Sequence, residues 1–318
     1  GATLWNGSTP TNLGTLGGST SYALNINDAG QVVGTSQTSG NAAQHATLWN
    51  GTTTIDLGTL GGTTSQASGI NNAGQVVGYS FITGLATNHA TLWNGTSATD
   101  LGTLGGLNSY AQSINSGGKV VGTSQITGNT AQHATFWNGT TAIDLGTLGG
   151  TNSSALSIND SGLAVGAGSL IGNTVSHATL WNTSTSSITD LGSVGGFSRA
   201  NDINASGQVV GYSFFSGFSG QQHATLWNGG AIIDLNSLLD ASGAGWILSN
   251  AWGINDSSQI VGEAINPFGE THAFMISAAA APVTAPIPEP ETYAMLLAGL
   301  GLLGSAARRR KIKEPATT

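Results

Sequence analysis

Two residue types in this chain could act together chemically: six histidines and a set of repeated aspartates. His45, His89, His133 and His177 lie 44 residues apart, and His223 and His272 follow after 46 and 49. Asp56, Asp100, Asp144, Asp190 and Asp234 recur in nearly the same register. Imidazoles gathered at one point could hold zinc, with nitrogens at about 2.0–2.1 Å. Two carboxylates about 5–5.5 Å apart could cleave a glycosidic bond with retention. A residue that appears once per repeat, however, serves the repeat first. One histidine per unit spreads the imidazoles along an array, and no second ligand type accompanies each of them. The expectation is that each imidazole bonds a backbone group or its own repeat's aspartate at a blade interface, with no metal and no cofactor. Five equivalent carboxylates provide no acid and base of different pKa. Glu263 and Glu270, the two glutamates before the tail, are the one asymmetric pair. Nothing else supports catalysis there, and no catalytic residue is expected.

These residues are set in short alternating runs. A unit reads His45-Ala46-Thr47-Leu48-Trp49, then Asn50-Gly51, then Thr54-Ile55-Asp56-Leu57-Gly58-Thr59-Leu60-Gly61-Gly62. A third run, Ala67-Ser68-Gly69-Ile70-Asn71, leads through Asn72-Ala73-Gly74 into Gln75-Val76-Val77-Gly78-Tyr79-Ser80. Asn-Gly between such runs signals a hairpin of type I′, which needs positive φ at both central residues. Four short strands every 44 residues, without helical periodicity, predict an all-β fold: a β-propeller of about six four-stranded blades over residues 1–277. The phrase at Ala2-Thr3-Leu4-Trp5 and the one from His272 to Ile276 both look like strand one, so a terminal strand could complete a blade begun at the other end. Gly1 stands where a histidine is due. This reads as a truncated or processed start, which would leave room for a seventh blade in a longer product. The last unit departs from the pattern around Trp246 and Trp252, as terminal repeats do.

Composition narrows the function. Residues 1–277 carry two basic residues, Lys119 and Arg199, against twelve acidic ones, a net charge of −10. Such a surface repels phosphate, which excludes nucleic acid as a partner. Without cysteine there is no disulfide, thiolate metal site or thiol nucleophile. Asn27-Asp28-Ala29-Gly30 and its counterparts lack the spacing of a calcium loop and fit tight turns instead. The Asn-Gly-Thr sequons at Asn50, Asn94 and Asn138 coincide with the hairpins.

The tail is different. Residues 278–287 form an Ala/Pro-rich linker. Pro288-Glu289-Pro290 follows, then an apolar run from Tyr293 to Ala307, then Arg308, Arg309, Arg310, Lys311 and Lys313. As a helix, residues 293–307 would be about 22 Å long against a hydrocarbon core of roughly 30 Å, a short transmembrane span with its basic cluster held on the cytoplasmic side. The order of these parts over 288–313 resembles the PEP-CTERM sorting signal of Gram-negative bacteria. The resemblance implies processing by an exosortase near Pro288, Glu289 and Pro290, with Arg308, Arg309, Arg310 and Lys311 as the basic stop cluster. It also implies transient residence in the inner membrane, then delivery to the cell surface or extracellular matrix, commonly where exopolysaccharide is made.

His272-Ala273-Phe274, the Asp-Leu-Gly-Thr-Leu-Gly-Gly phrases and Ile-Asn-Asp-Ala-Gly-Gln-Val-Val-Gly resemble the HAF repeats of extracellular proteins. That resemblance implies a propeller in an extracellular setting and carries no catalytic residue. The expectation is an exported, surface-destined propeller with structural or binding work. The alternatives are an enzyme acting on polysaccharide, and a lectin-like module holding exopolysaccharide through aromatic side chains such as Trp246 or Tyr212.

Overall fold

The computed structural model describes residues 1–277, except Leu85 and residues 216–219. These residues form antiparallel strands and three short 3-10 turns, with no α-helix among them. Module three shows the plan: strands Gly105–Ile114, Val120–Ile126, Gln132–Asn138 and Thr141–Asp144 pair in sequence order. Four-stranded sheets of the same order span residues 17–58, 61–100, 149–192 and 198–234, here modules one, two, four and five. A single parallel bridge, Gln44–Thr64, joins the sheets of modules one and two. A hairpin, Thr3–Asn6 with Thr9–Asn12, precedes them, and a three-stranded module six spans 247–277.

The sheets are out of phase with the sequence repeat. The unit opening at His45 gives its first two runs to module one and its last two to module two. Its Gly-Thr-Leu-Gly-Gly phrase is the crossing between sheets. The hairpin at Asn50 also differs from expectation: Asn50 pairs with Thr53, so Gly51 and Thr52 are the central residues. Only Gly51 has positive φ, at 59°. Positive φ confined to the first central residue is the type II′ pattern, which asks for Gly there and nothing special of Asn.

Side-chain alternation follows from the ladder. In each of the four interfaces among modules one to five, one module offers a second-strand Val and a third-strand Ala; the next offers a first-strand Ala and Ile and a third-strand Trp. Between modules two and three these are Val77, Ala90 and Leu101 against Ala111, Ile114, Val120 and Trp137. Trp49, Trp93, Trp137, Trp181 and Trp227 are all buried, and none of their indole N–H groups has a hydrogen-bond partner among the described residues. They therefore stabilise the stack through buried area and packing alone. The Gly of each Val-Val-Gly phrase is fixed by close approach. A Cβ on Gly122 would fall inside contact distance of the Tyr110 carbonyl oxygen, and Gly34, Gly78, Gly166, Gly211 and Gly262 sit likewise.

The expected exchange of a strand between the two ends does not occur among the described residues. The opening hairpin pairs only within itself, and the last strand, Thr271–Ser277, pairs only with Gln259–Ile265. The reason lies in strand type: the opening hairpin supplies a third and a fourth strand, while module six already contains its own third. Ile26 is 50% exposed where its counterparts Ile70, Ile114, Ile158, Ile203 and Ile254 are at most 8% exposed. Val261, at 47%, contrasts in the same way with five fully buried valines.

Candidate functional site

Each of the first five histidines meets its own repeat's aspartate across the third and fourth strands of one sheet, not at the interface between blades as expected, because the two strands are hairpin neighbours. The Nδ1–Oδ2 distances are 2.8 Å for His45–Asp56, 2.8 Å for His89–Asp100, 2.7 Å for His133–Asp144, 2.9 Å for His177–Asp190 and 2.8 Å for His223–Asp234. The aspartate also accepts from a backbone N–H two residues on, that of Gly58, Gly102, Gly146, Gly192 or Asn236. His–Asp is two thirds of a hydrolytic triad, but the nearby hydroxyl is engaged elsewhere: Thr47 Oγ1 donates to the His45 carbonyl at 2.9 Å, and the other four repeats do the same. His272 stands apart, with Asn266 at 3.2 Å and Glu270 at 3.8 Å. Among the described residues no three His, Asp or Glu side chains form a metal-holding group.

Two further repeated devices join module to module, and sequence reading missed both. Ser109 Oγ accepts from Ala90 N–H at 2.8 Å and donates to the Gly102 carbonyl at 2.7 Å, linking modules two and three. Ser21, Ser65, Ser153 and Ser198 repeat the link. At module six Asn236 substitutes, exchanging hydrogen bonds with the Leu248 backbone. The second device is an asparagine ladder. Asn27, Asn71, Asn115, Asn159 and Asn204 each donate from Nδ2 to the backbone carbonyl of the next module's asparagine, ending at Asn255, at 3.0–3.1 Å. The constant Ile-Asn pair was the available signal, but it reads equally well as turn chemistry.

Where the repeat breaks, two clefts appear. One is lined by Asp160, Asp202 and Asp256, from modules four to six. Asp202 accepts from Ser157 Oγ at 2.7 Å and from Ile254 N–H at 3.0 Å. Burial pushes its carboxyl above the ordinary 3.8 and the Asp256 charge adds to this, while those hydrogen bonds oppose it. The other cleft, about 250 Å³, lies between modules four and five with Gln132 of module three at its edge, and is lined by Phe197 and Arg199 with serines and amides.

The remaining candidates are scattered. Glu263 pairs in register with Ala273, and Glu270 lies three residue steps along the ladder, just beyond the Ile265–Thr271 pair. Three steps span about 10 Å, more than the spacing of a retaining pair. Trp246 packs on the core of module six and edge-on to His272, at 5.3 Å. Tyr212 is half-buried and stacks on Phe197 at 5.8 Å. Pro288, Glu289, Pro290, the basic cluster and the expected helix 293–307 lie outside the described residues; within those described, no helix is long and apolar enough to cross a membrane.

Residues 286–311 match the PEP-CTERM protein-sorting motif. The tail thus marks a protein sorted for export in Gram-negative-type systems. Among curated proteins none matches the chain. Among solved structures, the β-propeller domain of the Trilobed protease from Pyrococcus furiosus, described as having an open velcro topology, is similar with a TM-score of 0.52 and 9% identity. That likeness covers 80% of this chain and 78% of that one. TolB from Acinetobacter baumannii gives 0.48 at 10% identity, over 78% of this chain and 64% of its own. The first likeness supports a propeller domain, as a matter of fold alone.

Proposed function

We propose that the chain is an exosortase substrate delivered to the cell surface or extracellular matrix, and that its repeat domain is a non-catalytic structural or binding propeller of about six blades. In this reading residues 1–277 are HAF repeats, 278–287 a linker and 288–313 the sorting signal, with residues 293–307 as a helix that holds the chain in the inner membrane until processing. The observation that carries the proposal is the sorting motif at 286–311. The His–Asp pairs add support, because every aspartate in them is already committed to a histidine and a backbone N–H.

Fractionation of cells making the full-length protein with and without residues 288–313 tests it. Removing the tail should leave the repeat domain in the periplasm or release it in soluble form; surface attachment unchanged by the deletion would overturn the sorting reading.

A second reading, an enzyme acting on polysaccharide, draws on Asp202 and Asp256, carboxylates from non-equivalent repeat positions lining one cleft. Their hydrogen bonds to neighbouring modules favour a framework role instead. Hydrolysis of a polysaccharide that Asp202→Asn abolishes while the fold is kept would decide for the enzyme.

A further inference from the structure

The repeat explains most of this molecule, so the place where it fails is informative. Module four carries Ser154, Ala167 and Ser169 where module two has Gln66, Tyr79 and Phe81 and module five has Arg199, Tyr212 and Phe214. Small side chains in one module therefore face large ones in the next, and a cleft of about 250 Å³ opens between them. Its large wall is pre-set. Phe197 stacks on Tyr212 at 26° between ring planes and meets Phe214 edge-on at 84°, which fixes the ring facing the cleft.

Arg199 lines the same cleft. It is one of two cations in residues 1–277, and no salt bridge among the described residues includes it. Its Nε is buried and has no hydrogen-bond partner among those residues. That Nε is closed to the cleft, so a ligand there would meet the guanidinium through its two terminal nitrogens, which can still bind a carboxylate side by side. Around it are Asn152, Gln132, Ser154 and Ser169.

We propose that this cleft binds an acidic sugar, a uronate, with its carboxylate on Arg199, its apolar ring face on Phe197 and its hydroxyl groups on the surrounding amides and serines. Each part of the ligand answers a part of the wall. A guanidinium takes a carboxylate bidentately, and an aromatic face packs against a ring of C–H bonds. A single cation lining the cleft, in a domain of net charge −10, suits a singly charged anion; a phosphate dianion would meet the repulsion of the whole domain. The proposal rests on the binding reading of the repeat domain and names its ligand class.

Calorimetric titration of the full chain in mild detergent with glucuronate, glucose and inorganic phosphate tests it. Glucuronate should bind at least about tenfold more tightly than glucose, the loss expected when one charge-assisted bond is absent. Arg199→Gln should erase that preference without changing the circular dichroism, and Phe197→Ala should weaken both sugars. Phosphate competing as well as glucuronate, or a preference that survives Arg199→Gln, would overturn the assignment. Equal affinity for both sugars would refute the acidic class while leaving a sugar-binding module. No binding by any probe would refute the binding reading as well, and the sorting reading would stand on its own test.

Discussion

Ser109 is among the smallest groups on which two modules depend. It is fully buried and satisfies an N–H of one sheet and a carbonyl of the crossing segment. Ser109→Ala leaves the Ala90 N–H buried without a partner, and should destabilise the domain by about 1–3 kcal/mol, read as a lower urea midpoint. Asp202 should show itself in pH dependence. Its folded pKa is raised above the ordinary 3.8, chiefly by burial, so the folded state holds the proton more tightly than the unfolded state does. The resulting stability is complete below about 3.8 and is lost as pH rises through the raised value. Urea midpoints measured against Asp202→Asn, so that groups common to both cancel, should move against the native protein over that window. A constant difference would contradict the buried setting. The aspartate, recurring eleven residues after the histidine in most units, was one of two partners the sequence allowed; that the pair lies within one sheet was not legible. Arg199 was not legible as a site residue: an exception has no period, and only packing shows what it faces.

At the scale of the element, identical residues differ in worth according to what lies across from them. Trp137 is fully buried in the interface between modules two and three, whereas Trp5, at the same repeat position, is 64% exposed. Trp137→Ala should cost about 3–5 kcal/mol; Trp5→Ala should stay within about 0.5 kcal/mol. Equal losses in thermal or urea unfolding would contradict the described packing. Gly122→Ala should be among the most damaging single changes, because the new methyl meets a backbone carbonyl of the paired strand and neither strand can yield without breaking the ladder. Strands and turns were readable from alternation and glycine placement. Which four runs share a sheet was not, because a 44-residue period has no marked origin. The turn at Asn50 was assigned from a dipeptide rule, and the ladder register shifted the turn by one residue.

The whole molecule combines an array, whose stability adds through neighbouring interfaces, with a tail of opposite charge character. The array was legible as a stack of β-modules. That its two ends exchange no strand among the described residues was not, since this depends on strand types that the repeated phrase leaves unlabelled. The tail's parts could be read in order because each carries its own compositional signature: Pro-Glu-Pro, an apolar run, a basic cluster. The most direct test of the account changes only the motif. Full-length protein, native and with Pro288, Glu289 and Pro290 replaced by alanine, is made in an exosortase-containing Gram-negative host, and the mass and location of each are compared. The native chain should appear at the surface in a shortened form, and the variant should accumulate uncut in the membrane fraction. The same mass and the same location for both would contradict the account.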